Sequence, residues 1–344
     1  MSSADGAKHE GHDDTHLGNP SASKRPKIDK KNRLYICGKR HEFFEGDPKL
    51  FELVLETDRP IVDMGWMVYT DREDDGNGEC IPSTRGAYLV FDNGKVKQWG
   101  YDYELWANTL SSTTFLSQVT QICCTDTHGA AAQSDGSVVT WGYNDNSQLG
   151  RTTNEPTLFH LPERVSQMAT HFVTQVACTS CGTIAVTDSG DLFGWGYHFN
   201  GELGQPRTPR KITQPMRIDG LPPVKQISAT GTNVCALTKD GDVYVWGGLI
   251  YRYDNPEGPD PSRPLLVVGE LPKNVKQIYC GAFFAGAVTD DGFVYVWGRS
   301  RTAKMVESLK FVKIGSICYK STEPRFEDNA LIAVSDDKSR LVSW

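Results

Sequence analysis

The chain has 344 residues and a formal net charge of −7, and hydrophobic residues make up 38% of it. This content is enough for a sizeable core and excludes wholesale disorder, and no run of about 18 apolar residues predicts a membrane-spanning helix. Nine cysteines, an odd number, and an N-terminus without an apolar stretch argue against a secreted disulfide scaffold. They favour a cytosolic or nuclear protein with reduced thiols.

Residues 1–33 are predicted to form a disordered tail that ends in a basic cluster. Residues 24–33, KRPKIDKKNR, contain six basic side chains and one acid. The basic residues are Lys24, Arg25, Lys27, Lys30, Lys31 and Arg33. Such clusters are typical of nuclear-localisation signals and of segments that contact nucleic acid, and a solvated tail is the alternative. We therefore expect a nuclear protein, with the cytoplasm as a second location, and we confine any nucleic-acid contact to this cluster.

A tryptophan–glycine dyad recurs along the rest of the chain, with a glycine five residues before each tryptophan. The segments read DNGKVKQWG, SDGSVVTWG, DSGDLFGWG, KDGDVYVWG and DDGFVYVWG, and their tryptophans are Trp99, Trp141, Trp195, Trp246 and Trp297. The residue pairs before each glycine favour tight hairpin turns, and the alternating apolar residues that follow predict a strand. A weaker sixth copy ends at Trp344, and a similar strand, RLYICG, contains Cys37.

A second phrase precedes each glycine turn. It reads VTQICC, VTQVAC, VKQISA, VKQIYC and VKIGSIC, and a short stretch of small apolar residues follows it. Each unit therefore predicts two strands, a glycine turn, a tryptophan strand and a loop. The repeat tryptophans from Trp99 to Trp344 are 42, 54, 51, 51 and 47 residues apart. Strand-rich units of this length are typical of propeller blades, so we predict one domain over residues 34–344.

The loops WGYNDNSQLG (141–150) and WGYHFNGELG (195–204), together with the two repeated phrases, resemble the repeat of the regulator of chromosome condensation family. The resemblance covers residues 34–344 and implies an all-β propeller of that type. It implies seven blades, of which six complete repeat units are visible; a six-bladed ring and an incomplete seventh blade both stay open. Members of the family include the nuclear exchange factor for the small GTPase Ran, a plant UV-B photoreceptor and protein-docking propellers.

For an exchange factor, the resemblance implies a GTPase-binding face with acidic residues on the third and fourth blades. Asp126 and His128 match that pattern on the third blade and are the GTPase-contact candidates. On the fourth blade Cys181 stands where a further acid is expected, and the loop after Trp141 contains no wedge-like insertion. Asp126 also suits a loop acid that bonds to neighbouring backbone amides.

Two patterns imitate ligand sites without predicting one. Cys178 and Cys181 have CxxC spacing, but Cys178 occupies the repeat position of Cys124 and Cys280, which favours a buried apolar role. Residues 71–82 imitate a calcium loop that ends in proline where a bidentate glutamate is required. We therefore predict no metal and no cofactor, and the sequence offers no catalytic set for a hydrolase or transferase.

Two long loops, residues 67–85 and 248–264, stand out from the repeat. Long loops on a rigid scaffold commonly carry recognition, although solvent-facing loop variation is the alternative. The second contains Tyr251, Arg252 and Tyr253, which we predict as loop-contact residues.

Together these features predict a non-catalytic nuclear propeller that binds proteins through its loop faces. A small GTPase and histones are the candidate partners, and no membrane partner is expected. The alternative function is guanine-nucleotide exchange on a Ran-like GTPase, and chromatin contact through residues 24–33 is a third hypothesis.

Overall fold

The computed structural model describes residues 32–36, 52–67, 86–102, 107–112, 114–153, 159–206, 209–248, 260, 262–281, 284–298, 301–306, 314–320, 330–335 and 341–343. These residues form 26 β-strands and one 3-10 helix, η1 (Ser166–Met168). Within the described ranges no helix is long and apolar enough to cross a membrane.

The strands build seven sheets, which we number in chain order. Sheet 1 contains β1 (Asn32–Ile36) and β2 (Glu52–Thr57). Sheet 2 contains β3 (Ile61–Met67), β4 (Gly86–Phe91), β5 (Val96–Asp102) and β6 (Ala107–Leu110). Sheet 3 contains β7 (Val119–Cys124), β8 (His128–Gln133), β9 (Val138–Gly142) and β10 (His160–Arg164). Sheet 4 contains β11 (Val173–Cys178), β12 (Gly182–Thr187), β13 (Leu192–Tyr197) and β14 (Lys211–Ile218).

The remaining three sheets follow the same order. Sheet 5 contains β15 (Val224–Thr230), β16 (Asn233–Thr238), β17 (Val243–Gly247) and β18 (Leu265–Leu266). Sheet 6 contains β19 (Val268–Gly269), β20 (Val275–Cys280), β21 (Ala285–Thr289), β22 (Val294–Trp297) and β23 (Thr302–Met305), with β19 parallel to β23. Sheet 7 contains β24 (Ile314–Lys320), β25 (Ala330–Ser335) and β26 (Leu341–Ser343).

Sheets 2 to 5 are four-stranded antiparallel units in which sequence order equals spatial order. Their first strands contact one another in succession, β3 with β7, β7 with β11 and β11 with β15, so these are the inner strands of a propeller. In sheets 3, 4 and 5 the antiparallel order places the first connection at one end and the glycine hairpin at the other, and in sheets 3 and 4 the described part of the third connection lies at the same end as the first. We call the first end the loop face (residues 125–127, 143–153, 179–181, 198–206, 209–210 and 231–232) and the second the hairpin face. The propeller prediction is confirmed.

The predicted hairpin turns are also confirmed. The glycines before the dyad tryptophans all have positive φ: Gly94 73°, Gly136 81°, Gly190 95°, Gly241 85° and Gly292 86°. Only glycine adopts such angles without a steric cost. Gly241 also has no room for a side chain, because an added Cβ would overlap the Lys273 carbonyl oxygen.

The core lies between neighbouring sheets. Every residue of the second strands β8, β12, β16 and β21 is buried, which explains their small apolar side chains. The five dyad tryptophans, predicted as structural repeat residues, are 0 to 3% exposed. They are Trp99, Trp141, Trp195, Trp246 and Trp297. Sheets therefore pack face to face through the repeated tryptophan and the small residues beside it.

Side-chain oxygens join the inner strands from sheet to sheet. The third residue of each inner strand accepts a hydrogen bond from a backbone N–H of the next inner strand. The bonds are Asp63 Oδ2 to Ile122 N, 2.8 Å; Gln121 Oε1 to Val176 N, 2.7 Å; Gln175 Oε1 to Ile227 N, 2.7 Å; and Gln226 Oε1 to Ile278 N, 3.0 Å. Asp63 replaces glutamine at the first junction, and burial raises the pKa of its carboxyl. The repeated glutamine of the VxQ phrase is thus a contact between blades.

Replacing Gln175 with alanine is expected to lower the free energy of unfolding by about 1–3 kcal/mol. The change leaves the Ile227 N–H without its 2.7 Å acceptor at a buried junction. Urea denaturation followed by far-UV circular dichroism measures the loss. Thr174→Ala on the same strand is the control, because the exposed Thr174 bonds only within its own sheet, to the Val186 carbonyl at 3.2 Å. Equal losses in the two variants would contradict the inter-sheet role.

Strand β1 begins at Asn32, two residues before the predicted domain boundary at residue 34. Arg33, the last residue of the basic cluster, is therefore part of this strand. The other basic-cluster residues, Lys24, Arg25, Lys27, Lys30 and Lys31, lie outside the described residues. The same holds for the calcium-like segment 71–82.

Candidate functional site

The first connections of sheets 3, 4 and 5 form a linked series on the loop face. Thr127 Oγ1 donates a hydrogen bond of 2.9 Å to the Ser180 carbonyl, and the Ser180 N–H donates one of 2.7 Å to the Gly231 carbonyl. Each loop is also tied to its own sheet, since Tyr143 N donates to Thr127 O and Tyr197 N donates to Cys181 O. The loops are therefore held in one arrangement by hydrogen bonds to backbone carbonyls.

His128 is buried directly beneath these linked loops. Its side chain is 0% exposed, with Nδ1 3.1 Å from the hydroxyls of Thr125 and Thr127 and Nε2 3.0 Å from Thr183 Oγ1. The Thr183 hydroxyl donates its proton to the Gln148 carbonyl at 2.8 Å, so Nε2 is the donor toward Thr183 and Nδ1 is an acceptor. Burial lowers the pKa of His128 to about 4, and the ring is neutral at physiological pH.

The two GTPase-contact candidates therefore separate in the structure. Asp126 is exposed at the tip of its loop, two residues from His128. His128 has no exposed surface and cannot touch a docked protein, so its place in the site is to position the loop. Cys181, at the equivalent loop of sheet 4, is half-buried; burial raises the pKa of its thiol, and the carboxylates of Asp126 and Glu202 raise it further.

The third connections of sheets 3 and 4 are anchored by the next tryptophan. The Trp195 Nε1–H donates to the Gln148 carbonyl at 3.0 Å, and the Trp246 Nε1–H donates to the Glu202 carbonyl at 2.9 Å. The Glu202 carboxylate also accepts from Phe199 N at 3.3 Å and Asn200 N at 2.7 Å. Burial raises the pKa of Glu202 against the lowering effect of these N–H groups. Through Gln148 of the QLG phrase and Glu202 of the ELG phrase, the two loops are thus fixed to the buried tryptophans of the core.

The loop tips bring exposed charges and an aromatic ring together. Phe199 is 42% exposed, and the Arg210 guanidinium carbon lies 4.8 Å from its ring centroid. Lys211 Nζ donates a hydrogen bond of 2.8 Å to the Asp145 carbonyl, which connects the loops of sheets 3 and 4. With Asp126 and Ser180, these residues form what we call the docking set: Asp126, Asp145, Ser180, Phe199, Arg210 and Lys211, all exposed.

The docking set contains residues that sequence reasoning missed. Asp145 and Phe199 stand at one of the four positions where the two otherwise similar WGY loops differ, and at this position an acid is replaced by an aromatic ring, which is the signal that could have found them. The predicted loop-contact residues Tyr251, Arg252 and Tyr253 lie outside the described residues, and they remain a prediction. Within the described ranges no group of three or more His, Cys, Asp or Glu residues is arranged to hold a metal ion.

The expectation that all thiols are reduced is wrong at one position. Cys178 packs in the core, 5% exposed, as predicted, but a disulfide joins it to Cys123 on the neighbouring inner strand. The two Cα atoms are 6.0 Å apart. Sequence reasoning missed the pair because the partners are 55 residues apart and meet only through the register of adjacent sheets.

Comparisons with known proteins agree with this architecture. The model of the regulator of chromosome condensation (RCC1) repeat matches residues 135–186 and 189–237. The human E3 ubiquitin-protein ligase HERC2 is 35% identical over 186 residues, which are 53% of this chain and 4% of HERC2. The chain thus corresponds to a small part of that relative.

Two solved structures share the fold. Human WBSCR16 matches with a TM-score of 0.63 and 19% identity over 88% of this chain and 83% of its own. Prp20p of Saccharomyces cerevisiae, a protein whose binding to Gsp1p and histones has been characterised, matches with a TM-score of 0.54 and 20% identity over 74% of this chain and 68% of its own.

Proposed function

We propose that this chain, a β-propeller built from regulator of chromosome condensation repeats, docks other proteins through its loop face and catalyses no reaction of its own. The observation that carries the proposal is the docking set: two carboxylates, two cations, a hydroxyl and an aromatic ring, all exposed on loops that are fixed to the core or, for Lys211, on the first residue of the adjoining strand β14. Aromatic and arginine side chains are enriched at protein interfaces. Loops that are already ordered lose little conformational entropy on binding.

The chemistry of the face favours a protein partner with charges of both signs. Asp126 and Asp145 would attract basic groups, and Arg210 and Lys211 would attract acidic ones. The chain as a whole carries −7, which favours the approach of a basic protein. The fold relative Prp20p binds Gsp1p and histones. We therefore propose a small GTPase or a histone as the partner class.

Guanine-nucleotide exchange on a Ran-like GTPase is the alternative function. It is favoured by Asp126, which is exposed where the family resemblance expects an acid of the GTPase-binding face. It is weakened by Cys181, which stands in place of the second acid. Release of a fluorescent guanine nucleotide from purified Ran decides between the two, because docking alone leaves the release rate unchanged and exchange accelerates it.

Asp126→Arg and Phe199→Ala are expected to weaken partner binding about tenfold or more while leaving the fold intact. Both side chains are exposed on the loop face, where removal of an interface anchor commonly has an effect of this size. Binding is measured by titration with purified Ran and, separately, with core histones. Asp240→Arg is the matched control, since Asp240 is also exposed but lies on the hairpin face. If wild type binds neither protein, or if Asp240→Arg weakens binding as much as Asp126→Arg, the loop-face proposal is wrong.

We also propose that residues 24–33 direct the chain to the nucleus and supply any contact with chromatin. Six basic side chains within ten residues suit an import receptor groove or a phosphate chain. Replacing Lys24, Arg25 and Lys27 with alanine should move a fluorescent fusion of the full chain to the cytoplasm. An unchanged distribution would remove the import role from this cluster.

A further inference from the structure

The inner strands of adjacent sheets meet at a repeated pair of positions. The fifth residue of one inner strand faces the sixth residue of the next. At the junction of sheets 2 and 3 a Cβ added to Gly65 would lie 2.5 Å from Cys124 Sγ. At the junction of sheets 5 and 6 the Ser228 hydroxyl oxygen accepts a hydrogen bond of 2.9 Å from the Cys280 backbone N–H. The register of the repeat therefore brings these positions together around the ring.

At the junction of sheets 3 and 4 both positions are cysteine. Cys123 is the fifth residue of β7 and Cys178 is the sixth residue of β11, and they form a disulfide. At the next junction the equivalent residues are Ala177 and Ala229. Alanine at both positions is thus compatible with the packing of such a junction, and the cysteine pair adds a bond that the fold does not require.

The disulfide lies at the base of the two linked loops of the docking set. Cys123 is two residues before Thr125, and Cys178 is followed directly by Thr179 and Ser180. Beyond the disulfide, the two loops are joined by the 2.9 Å bond from Thr127 Oγ1 to the Ser180 carbonyl. Breaking the covalent link would leave hydrogen bonds and packing to hold Asp126 and Ser180 in register.

We propose that Cys123 and Cys178 form a redox-sensitive clasp that controls the order of the loop face, with the disulfide favouring and the dithiol disfavouring partner docking. The link between the clasp and docking rests on the proposed function, but the effect of the clasp on loop order does not. Disulfides of intracellular proteins are commonly redox-sensing, in contrast to the permanent bonds of secreted scaffolds.

The chemistry needs an oxidant of the hydroperoxide class and a dithiol reductant. The thiolate of Cys123, the more exposed of the two, attacks hydrogen peroxide to give a sulfenic acid and releases one oxygen as water. The thiolate of Cys178 then attacks the sulfenic sulfur, forms the S–S bond and releases the second oxygen as water. Two thiols are oxidised by two electrons and one peroxide is reduced to two waters. A dithiol reverses the step by thiol–disulfide exchange and becomes a cyclic disulfide itself.

The test follows the full chain after treatment with hydrogen peroxide and after treatment with dithiothreitol. Non-reducing peptide mapping should find the Cys123–Cys178 link only in the oxidised sample. Amide hydrogen exchange in residues 124–128 and 179–182 should be about tenfold faster in the reduced sample, while exchange at the sheet 5–sheet 6 junction stays the same. Ran or histone binding, where present, should weaken on reduction.

Two variants separate the clasp from general oxidation. The double variant Cys123→Ala, Cys178→Ala reproduces the alanine pair of the next junction and should show no redox response in exchange. Cys181→Ser keeps the clasp and should respond like wild type. A different disulfide in the peptide map, equal exchange in the two redox states of wild type, or a full response in the double variant would each overturn the clasp. Faster exchange on reduction without any binding in either state would retain the clasp and reject the docking function.

Discussion

Replacing Trp195 with alanine is expected to lower the free energy of unfolding by about 3–5 kcal/mol, the usual range for deleting a large aromatic side chain from a core. Trp195 is 0% exposed and belongs to the hydrophobic cluster that spans sheets 3, 4 and 5. Its ring also closes the space above Gly150, where an added Cβ would lie 2.5 Å from Trp195 Nε1. The alanine variant therefore removes packing from two sheets and leaves a cavity under the sheet 3 loop.

Urea denaturation followed by far-UV circular dichroism measures this loss without relying on tryptophan fluorescence. Trp195→Phe keeps most of the apolar volume but loses the 3.0 Å bond to the Gln148 carbonyl, and we expect a smaller loss of about 1–2 kcal/mol. Leu161→Ala is the surface control, because Leu161 is 77% exposed and such changes usually stay within about 0.5 kcal/mol. A loss at Trp195→Ala no larger than that at Leu161→Ala would show that the repeated tryptophan does not hold the blades together.

The architecture could be predicted from the repeat because the repeated residues meet local structural requirements. A glycine that must adopt positive φ and a tryptophan that must be buried recur at fixed spacing, as Gly136 and Trp141 illustrate. Contacts between sheets leave a weaker trace. The glutamine at position 175 is visible in the VxQ phrase, but its acceptor role toward Ile227 depends on the packing of two sheets. Such a contact has no signature within a single repeat.

The candidate site was predictable only at its most exposed point. Asp126 was found through the family resemblance and lies exposed at a loop tip, but His128, two residues later in the same motif, is buried. A sequence pattern does not distinguish a loop tip from the first residue of a buried strand when both are polar. Phe199 and Arg210 were missed because their contact joins residues on either side of a loop. Cys123 was missed because its partner belongs to the next blade.

Buried polar groups connect the loop face to the core. His128, Thr183 and Gln148 form one hydrogen-bonded series between sheets 3 and 4. The series ends at the Gln148 carbonyl, which also accepts a hydrogen bond from the Trp195 Nε1–H. Buried networks of this kind stabilise a structure when every member has a partner, and they are costly when one partner is lost. The loop face therefore depends on the protonation state of His128.

Lowering the pH from 7 to 4 is expected to reduce the free energy of unfolding by about 3 kcal/mol through His128 alone. The pKa of His128 is about 4 in the folded protein, because burial disfavours the imidazolium, and it is 6.5 in the unfolded chain. Below pH 6.5 the unfolded chain binds the proton and the folded protein does not, so stability falls. The contribution is complete above pH 6.5 and is lost between pH 6.5 and 4, with no further loss once the folded protein is protonated as well.

Urea denaturation at pH 7, 6, 5 and 4 measures this dependence, and His128→Gln isolates it. Glutamine keeps a donor and an acceptor in the site but does not titrate, so the variant should be less stable at pH 7 and lose less stability on acidification. Carboxylates such as Asp135 and Asp191, whose pKa values are lowered by hydrogen bonds to serine side chains, titrate in both proteins and cancel in the difference. The difference between wild type and variant should change by up to about 1.4 kcal/mol per pH unit between pH 6.5 and 4. Parallel pH profiles would mean that the pKa of His128 is not lowered in the folded protein, and the neutral hydrogen-bonded series from Thr125 to Gln148 would then have to be reassigned.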